Sequence, residues 1–214
     1  MSDIREVTKI YIIESQRDSD ILCQRFEGKA LSASLDLSEI ENEYFQIVSK
    51  EMFEFCITQI SKDIYIKNRS GNLVIPYLHF SSHGDENGII LTDNTYLNWK
   101  SLRNYIDRIN SVVGFITLPT KPDMQLSILN LCFSVCKGFC AKEIQGDLKD
   151  HKYVCLVGPI DKVDWSDSLI AFTTFYHQIF YKHKTAKDAI LNMNSAAGLE
   201  NIFQISMGSG TALA

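Results

Sequence analysis

The sequence predicts an α/β domain in which about six mostly parallel strands carry helices on both faces. Three observations point there. Short apolar runs alternate with stretches whose apolar residues recur at helical spacing. The strand-like runs are apolar throughout and lack the polar alternation of a sheet with one wet face, as parallel strands buried on both sides do. The chain has 214 residues, 45% of them apolar and 22% charged, enough for one domain with a proper core but not for two. That single domain is drawn over residues 1–206, and residues 207–214, rich in Gly and Ala, are read as a flexible tail.

Taken in order, Lys9 to Ile13 is a first buried strand, rich in Ile and Tyr, and Tyr44 to Val48 a second. Met52, Phe53, Cys56, Ile57 and Ile60 then fall on one helical stripe, so residues 50–63 form a helix. Val74 to Phe80 is a third strand. Gly88 to Leu91 and Thr95 to Leu97 flank Thr-Asp-Asn and form a small hairpin. Trp99, Leu102, Ile106 and Ile109 mark the next helix. Leu126 to Leu131 is a fourth strand and Tyr153 to Val157 a fifth, with a helix between them around residues 138–147. Leu169 to Phe180 and Ala186 to Ala197 are helices, and Asn201 to Ser206 closes the sheet as a sixth strand.

Charge and composition exclude several functions. Lys plus Arg is 21 and Asp plus Glu 26, a net charge of −5. Such a chain has no overall field to hold nucleic acid or an anionic membrane, and no run of Lys and Arg makes a local one. No apolar run approaches the roughly 20 residues a bilayer span needs. The start, MSDIREVTK, lacks the apolar stretch of a secretory signal. Cys23, Cys56, Cys132, Cys136, Cys140 and Cys155 mostly sit inside apolar runs, which suits a reduced, cytoplasmic protein.

Reactive groups in such sheets sit at the carboxyl ends of strands. The third strand delivers His83-Gly84 at its end and the fourth delivers Cys132 at its own. Adjacent parallel strands would bring the two to one rim, where a thiolate can attack a carbonyl while an imidazole protonates the leaving amine. The separation is 132 − 83 = 49 residues with the His first, near the roughly 50 of caspases. The caspase run Q-A-C-x-G is not found at Asn130-Leu-Cys-Phe-Ser134.

The run Tyr77-Leu-His-Phe-Ser-Ser-His83-Gly84 resembles the His-Gly strand of the CHAT family, caspase-like peptidases of the clan that also holds separase and legumain. The run Ile128-Leu-Asn-Leu-Cys132-Phe-Ser134 resembles its strand ending in Cys-x-Ser, and Val154 to Trp165, Phe172 to Tyr176 and Ala186 to Ala197 resemble its next strand, acidic loop and helices. The likeness spans residues 75–197. It implies a caspase-hemoglobinase fold, a three-layer sandwich. It implies Cys132 as nucleophile, His83 as general acid and base, and an oxyanion hole made by the amides of Gly84 and Cys132. It also implies a cysteine endopeptidase with no cofactor that cuts a partner protein. The setting would be a prokaryotic defence or cell-death system, with a separate sensor or activator protein. Cys136 lies four residues further on and would reach His83 only if the strand ran longer than its apolar pattern.

Other readings are weighed against this one. A caspase-like fold without turnover would be a protein-interaction adaptor. A flavodoxin-like nucleotide-binding domain would need a Gly-rich loop after a strand, and none follows one. Cys132, Cys136 and Cys140 form C-x3-C-x3-C, but zinc sites favour two-residue gaps, so no metal is expected. Asp161 and Asp164 after the fifth strand are candidates for the wall of a substrate pocket, or else, with Asp167, a solvated loop capping the next helix. Asp85 and Glu86 orient His83 or form the turn. His79 is read as packed in the core, His151 as solvated, His177 and His183 as surface or satisfied residues, and Cys23, Cys56 and Cys155 as core residues.

Overall fold

The computed structural model describes residues 5–118, 121–146 and 151–208. It is an α/β fold built on a mostly parallel sheet with helices on both faces. The sheet order is β10-β9-β8-β3-β1-β2, formed by β10 (Phe203–Met207), β9 (Cys155–Pro159), β8 (Asn130–Ser134), β3 (Asn72–Asp85), β1 (Arg5–Ser15) and β2 (Asn42–Gln46). All neighbours pair parallel except β10, which runs antiparallel at the edge. A hairpin of β4 (Gly88–Ile90) and β5 (Tyr96–Asn98) folds back on the end of β3.

Successive side chains of the central strands face opposite layers. Tyr11, Ile13, Leu78, Phe80, Leu131 and Phe133 bury against α3 (Lys50–Arg69) and α4 (Trp99–Asn110). Ile10, Ile12, Cys132 and Val157 bury against α2 (Glu27–Leu37), α5 (Trp165–Tyr176) and α6 (Ala186–Ala196). Both faces are covered, so neither needs a polar period. Helix starts are set by local chemistry: the Ser49, Asn98 and Thr185 side chains accept from the amides of Met52, Ser101 and Asp188.

Several expectations are corrected. The strand expected over Leu126–Leu131 is two elements: β7 (Lys121–Ser127), paired antiparallel with β6 (Phe115–Leu118), and β8, which begins only at Asn130. Between them the chain turns. Ser127 Oγ accepts from the Leu129 amide at 3.1 Å, and the Ile128 amide donates to the Gly114 carbonyl at 3.3 Å. Ile128 and Leu129 are buried without joining the sheet. The segment after β1 also holds α1 (Asp18–Leu22), which with α2 was not foreseen. The helix expected near residues 138–147 is a 3₁₀ helix, Gly138–Gln145, and α5 ends in a π-helical turn, His177–Tyr181. Met207 belongs to β10, and Gly208 accepts from Gln145 Nε2 and is hydrogen-bonded by its carbonyl to His151 Nδ1, so residues 207 and 208, expected in the tail, are part of the fold. Residues 209–214 lie outside the described residues. His151 is thereby buried rather than solvated, and Cys23 is exposed rather than in the core.

Candidate active site

Register decides which His meets which Cys. Strand β3 pairs with β8 as Tyr77↔Asn130, His79↔Cys132 and Ser81↔Ser134. Side chains two apart share a face, so His79, Ser81 and His83 line up beside Cys132, Ser134 and, two residues beyond the strand, Cys136. Cys132 therefore has His79 as its neighbour, not His83.

The inner pair is packed. Cys132 is 0% exposed among Ile10, Val157, Phe172 and Tyr176. Burial pushes its thiol well above the ordinary range, with the Cys155 sulfur adding in the same direction. His79 is also fully buried, its Nδ1 3.0 Å from Tyr176 Oη and its ring edge-on to Phe172 at 4.6 Å. Its Nε2 and both oxygens of the buried Glu27 make no hydrogen bond, and the two side chains stand 3.9 Å apart. A protonated thiol at this depth is a small apolar residue, not a nucleophile.

The outer pair is open. His83 and Cys136 line one cleft of about 370 Å³ at the carboxyl rim, with Asp20, Ser134, Asp164 and Trp165. His83 Nε2 lies 2.6 Å from Asp20 Oδ2, and the His83 ring meets the Trp165 ring edge-on at 5.1 Å. The other oxygen of Asp20 pairs with Arg25 at 2.9 Å. Ser134, one step inward from Cys136, is hydrogen-bonded to Ser168 of α5 at 2.6 Å.

The turn that carries Cys136 is tightly specified. The Gly138 amide donates to the Val135 carbonyl at 2.8 Å, and Lys137 takes the left-handed conformation with φ of 57°. The Lys137 amide donates to the Asp161 carbonyl at 3.1 Å, and its Nζ reaches Glu86 at 2.9 Å. A side chain on Gly138 would stand 2.7 Å from Phe133 Cβ, so only glycine fits. Gly84 is equally constrained, since a Cβ there would overlap the Gly88 carbonyl oxygen and the Val135 side chain. The Gly84 backbone thus sits against the residue before Cys136.

The remaining candidates divide. Asp164 lines the cleft with His83 and Cys136 and also the adjoining groove of about 420 Å³ between α2 and α5. It is the N-cap of α5, but its side chain does not cap that helix. Asp161 lines neither; it is exposed, and its side chain accepts from the Lys162 amide at 2.8 Å. Asp85 is occupied by the turn, accepting from the Asn87 amide and from Tyr96 Oη, bonds that hold its carboxyl below the usual range. Among the described residues no three His, Cys, Asp or Glu gather as a metal site, and Cys132, Cys136 and Cys140 fall in a strand, a turn and a 3₁₀ helix.

Sequence reasoning missed Asp20 and set Cys136 aside. A signal for Cys136 was present: Cys136-Lys137-Gly138 shares the Cys-x-Gly of the caspase run, and 136 − 83 = 53 residues separate it from His83. No motif marks Asp20; it is found only through the rule that rim loops carry function. No protein-family model matches the chain and no curated protein matches it, so the site stands on its geometry. Among the described residues no helix is long and apolar enough to cross a membrane.

Proposed function

We propose that the chain is a cysteine endopeptidase in which Cys136 is the nucleophile and His83 the general acid and base. The observation that carries this reading is the shared cleft of His83 and Cys136 at the carboxyl ends of neighbouring parallel strands. In that arrangement His83 takes the thiol proton as Cys136 Sγ attacks the scissile carbonyl carbon. The developing oxyanion would face the amides of Gly84 and Cys136, an assignment supported by the close approach of Gly84 to Val135. Collapse breaks the C–N bond, and the proton on His83 passes to the leaving amine. Water then enters, gives a proton to His83 and attacks the thioester carbon; collapse breaks the C–S bond, the acid departs, and His83 returns its proton to the Cys136 sulfur.

The substrate would be a protein segment laid along the cleft, and Asp164 is the candidate for its wall because it lines the same cleft as His83 and Cys136. A separate sensor or activator, a prokaryotic defence or cell-death setting and a cytoplasmic location follow from the CHAT resemblance. The test is labelling by a peptide carrying a thiol-reactive electrophile, followed by mapping of the modified residue. Selective modification of Cys136 that is lost on His83→Ala supports the reading. A cleft that takes no electrophile, with binding of a protein partner intact in Cys136→Ala, would instead make the chain an adaptor.

A further inference from the structure

The chemistry above uses one nitrogen of His83 and leaves the other to be explained. Asp20 sits on α1, directly after the carboxyl end of β1, and is 3% exposed. Its Oδ2 is 2.6 Å from His83 Nε2. A carboxylate paired with a guanidinium acts as an acceptor, so the assignment that suits this contact puts the hydrogen on Nε2. Its Oδ1 is taken by Arg25 Nη2 at 2.9 Å, so both oxygens of a buried carboxylate are occupied. Arg25 is itself fixed by its amide, which donates to the Asp20 carbonyl at 2.9 Å.

We propose that Asp20 is the positioning residue of the site: it holds His83 through Nε2–H and so directs Nδ1 at Cys136, with Arg25 as its brace. This rests on the peptidase reading. The Trp165 ring edge restrains the imidazole from a second side. The ionisable groups that share the cleft with His83 are Arg17, Asp20, Arg25, Cys136, Lys162 and Asp164. Of these, Asp20 alone has a hydrogen bond to the ring recorded in the structure. Fixing the tautomer matters because the same ring must take a proton from the thiol and return it to the amine through one nitrogen. In serine proteases the equivalent carboxylate-to-amide change costs about 10⁴ in turnover by leaving the wrong tautomer.

The first readout needs no variant. ¹⁵N spectra of His83 in the intact chain should show neutral imidazole protonated at Nε2; a Nδ1–H tautomer would overturn the assignment. The second compares Asp20→Asn with Asp20→Glu and Arg25→Gln. Asp20→Asn should lower kcat at least ~100-fold with KM nearly unchanged, Asp20→Glu should recover part of it, and Arg25→Gln should give a smaller loss of the same kind. A kcat for Asp20→Asn within about threefold of the parent overturns the proposal. The third readout is independent of any substrate: iodoacetamide should alkylate Cys136 more slowly in Asp20→Asn. If the parent chain cleaves nothing while this rate still depends on Asp20, the positioning role stands and the peptidase reading falls. If cleavage is robust and neither kcat nor alkylation responds, the reverse holds.

Discussion

Two cysteines four residues apart on the same face are expected to behave as different chemical species. Native-state alkylation of the folded chain, read by peptide mass spectrometry, measures this directly. Cys132 is 0% exposed, so reagent reaches it only when the domain opens. Taking the low end of typical domain stability, about 5 kcal/mol, the open fraction is about exp(−5/0.59), or ~2 × 10⁻⁴. Cys132 should therefore react about 5,000-fold more slowly than it does in denaturant. Cys136 lines an open cleft and needs no unfolding, so it should be modified with the exposed Cys23 in the first phase. The activity consequence follows: Cys136→Ala should abolish cleavage, while Cys132→Ala should retain it and cost roughly 1 kcal/mol in lost packing. Equal labelling rates for Cys132 and Cys136, or cleavage lost only in Cys132→Ala, would refute the register argument.

Three further outcomes test the framework of the site. Gly84→Ala should destabilise by about 1–3 kcal/mol in denaturant melts, because its Cβ overlaps the Gly88 carbonyl and Val135, and it should depress turnover. Asp63→Asn should cost about 1–3 kcal/mol, because it removes an ionised partner from the buried Lys9 and from Tyr11 Oη, bonded at 2.9 and 2.6 Å. Those two bonds, outweighing its own burial, hold the Asp63 carboxyl below its ordinary range, so its contribution is complete above about pH 4 and lost as pH falls through the folded value. Glu14 has the opposite sign. Burial, outweighing its bonds from Tyr44, Gln16 and the Gly28 amide, raises its carboxyl. The native state then binds the proton more tightly than the unfolded chain, so stability falls as pH rises from 4.5 through the folded value; Glu14→Gln should remove that slope in melts taken from pH 4 to 8.

The sheet was legible because its strands are apolar on both faces. Ile10 and Ile12 bury on one side and Tyr11 and Ile13 on the other, so the run reads as continuous whichever layer is considered. The same physics hid the boundaries. Apolar character reports burial, not sheet membership. Ile128 and Leu129 are buried in a turn, whereas the polar Asn130 and Ser134 lie within β8, Asn130 hydrogen-bonded to the Pro76 and Ile128 carbonyls. Helix α2 was missed because Glu27 and Gly28 stand at its buried start and Ser32, Ser34 and Asp36 dilute its stripe. Gly28 is buried for a reason no window reveals: its amide donates to Glu14 Oε1 at 2.6 Å, across 14 residues of sequence.

The displacement of the site by four residues has one cause. In a strand, positions i and i+4 share a face, so shifting β8 by four against β3 keeps every side chain on its own side of the sheet. His79 with Cys132 and His83 with Cys136 are therefore equivalent by pattern, and a motif search alone cannot choose between them. What separates them is where the strand starts: with Asn130 opposite Tyr77, Cys132 falls in mid-sheet under α5, and Cys136 falls past the last pair, Ser81 with Ser134. The residue types are the same at both levels, but the surroundings are not. The inner imidazole meets Tyr176 and Phe172, and the inner thiol is closed over. The outer imidazole meets the Asp20 carboxyl group, and the outer thiol opens on a cleft. On the proposed reading, the two levels are told apart by their surroundings at the rim, Asp20 of α1, Gly84 near the end of β3 and the Lys137–Gly138 turn, not by the His and Cys themselves.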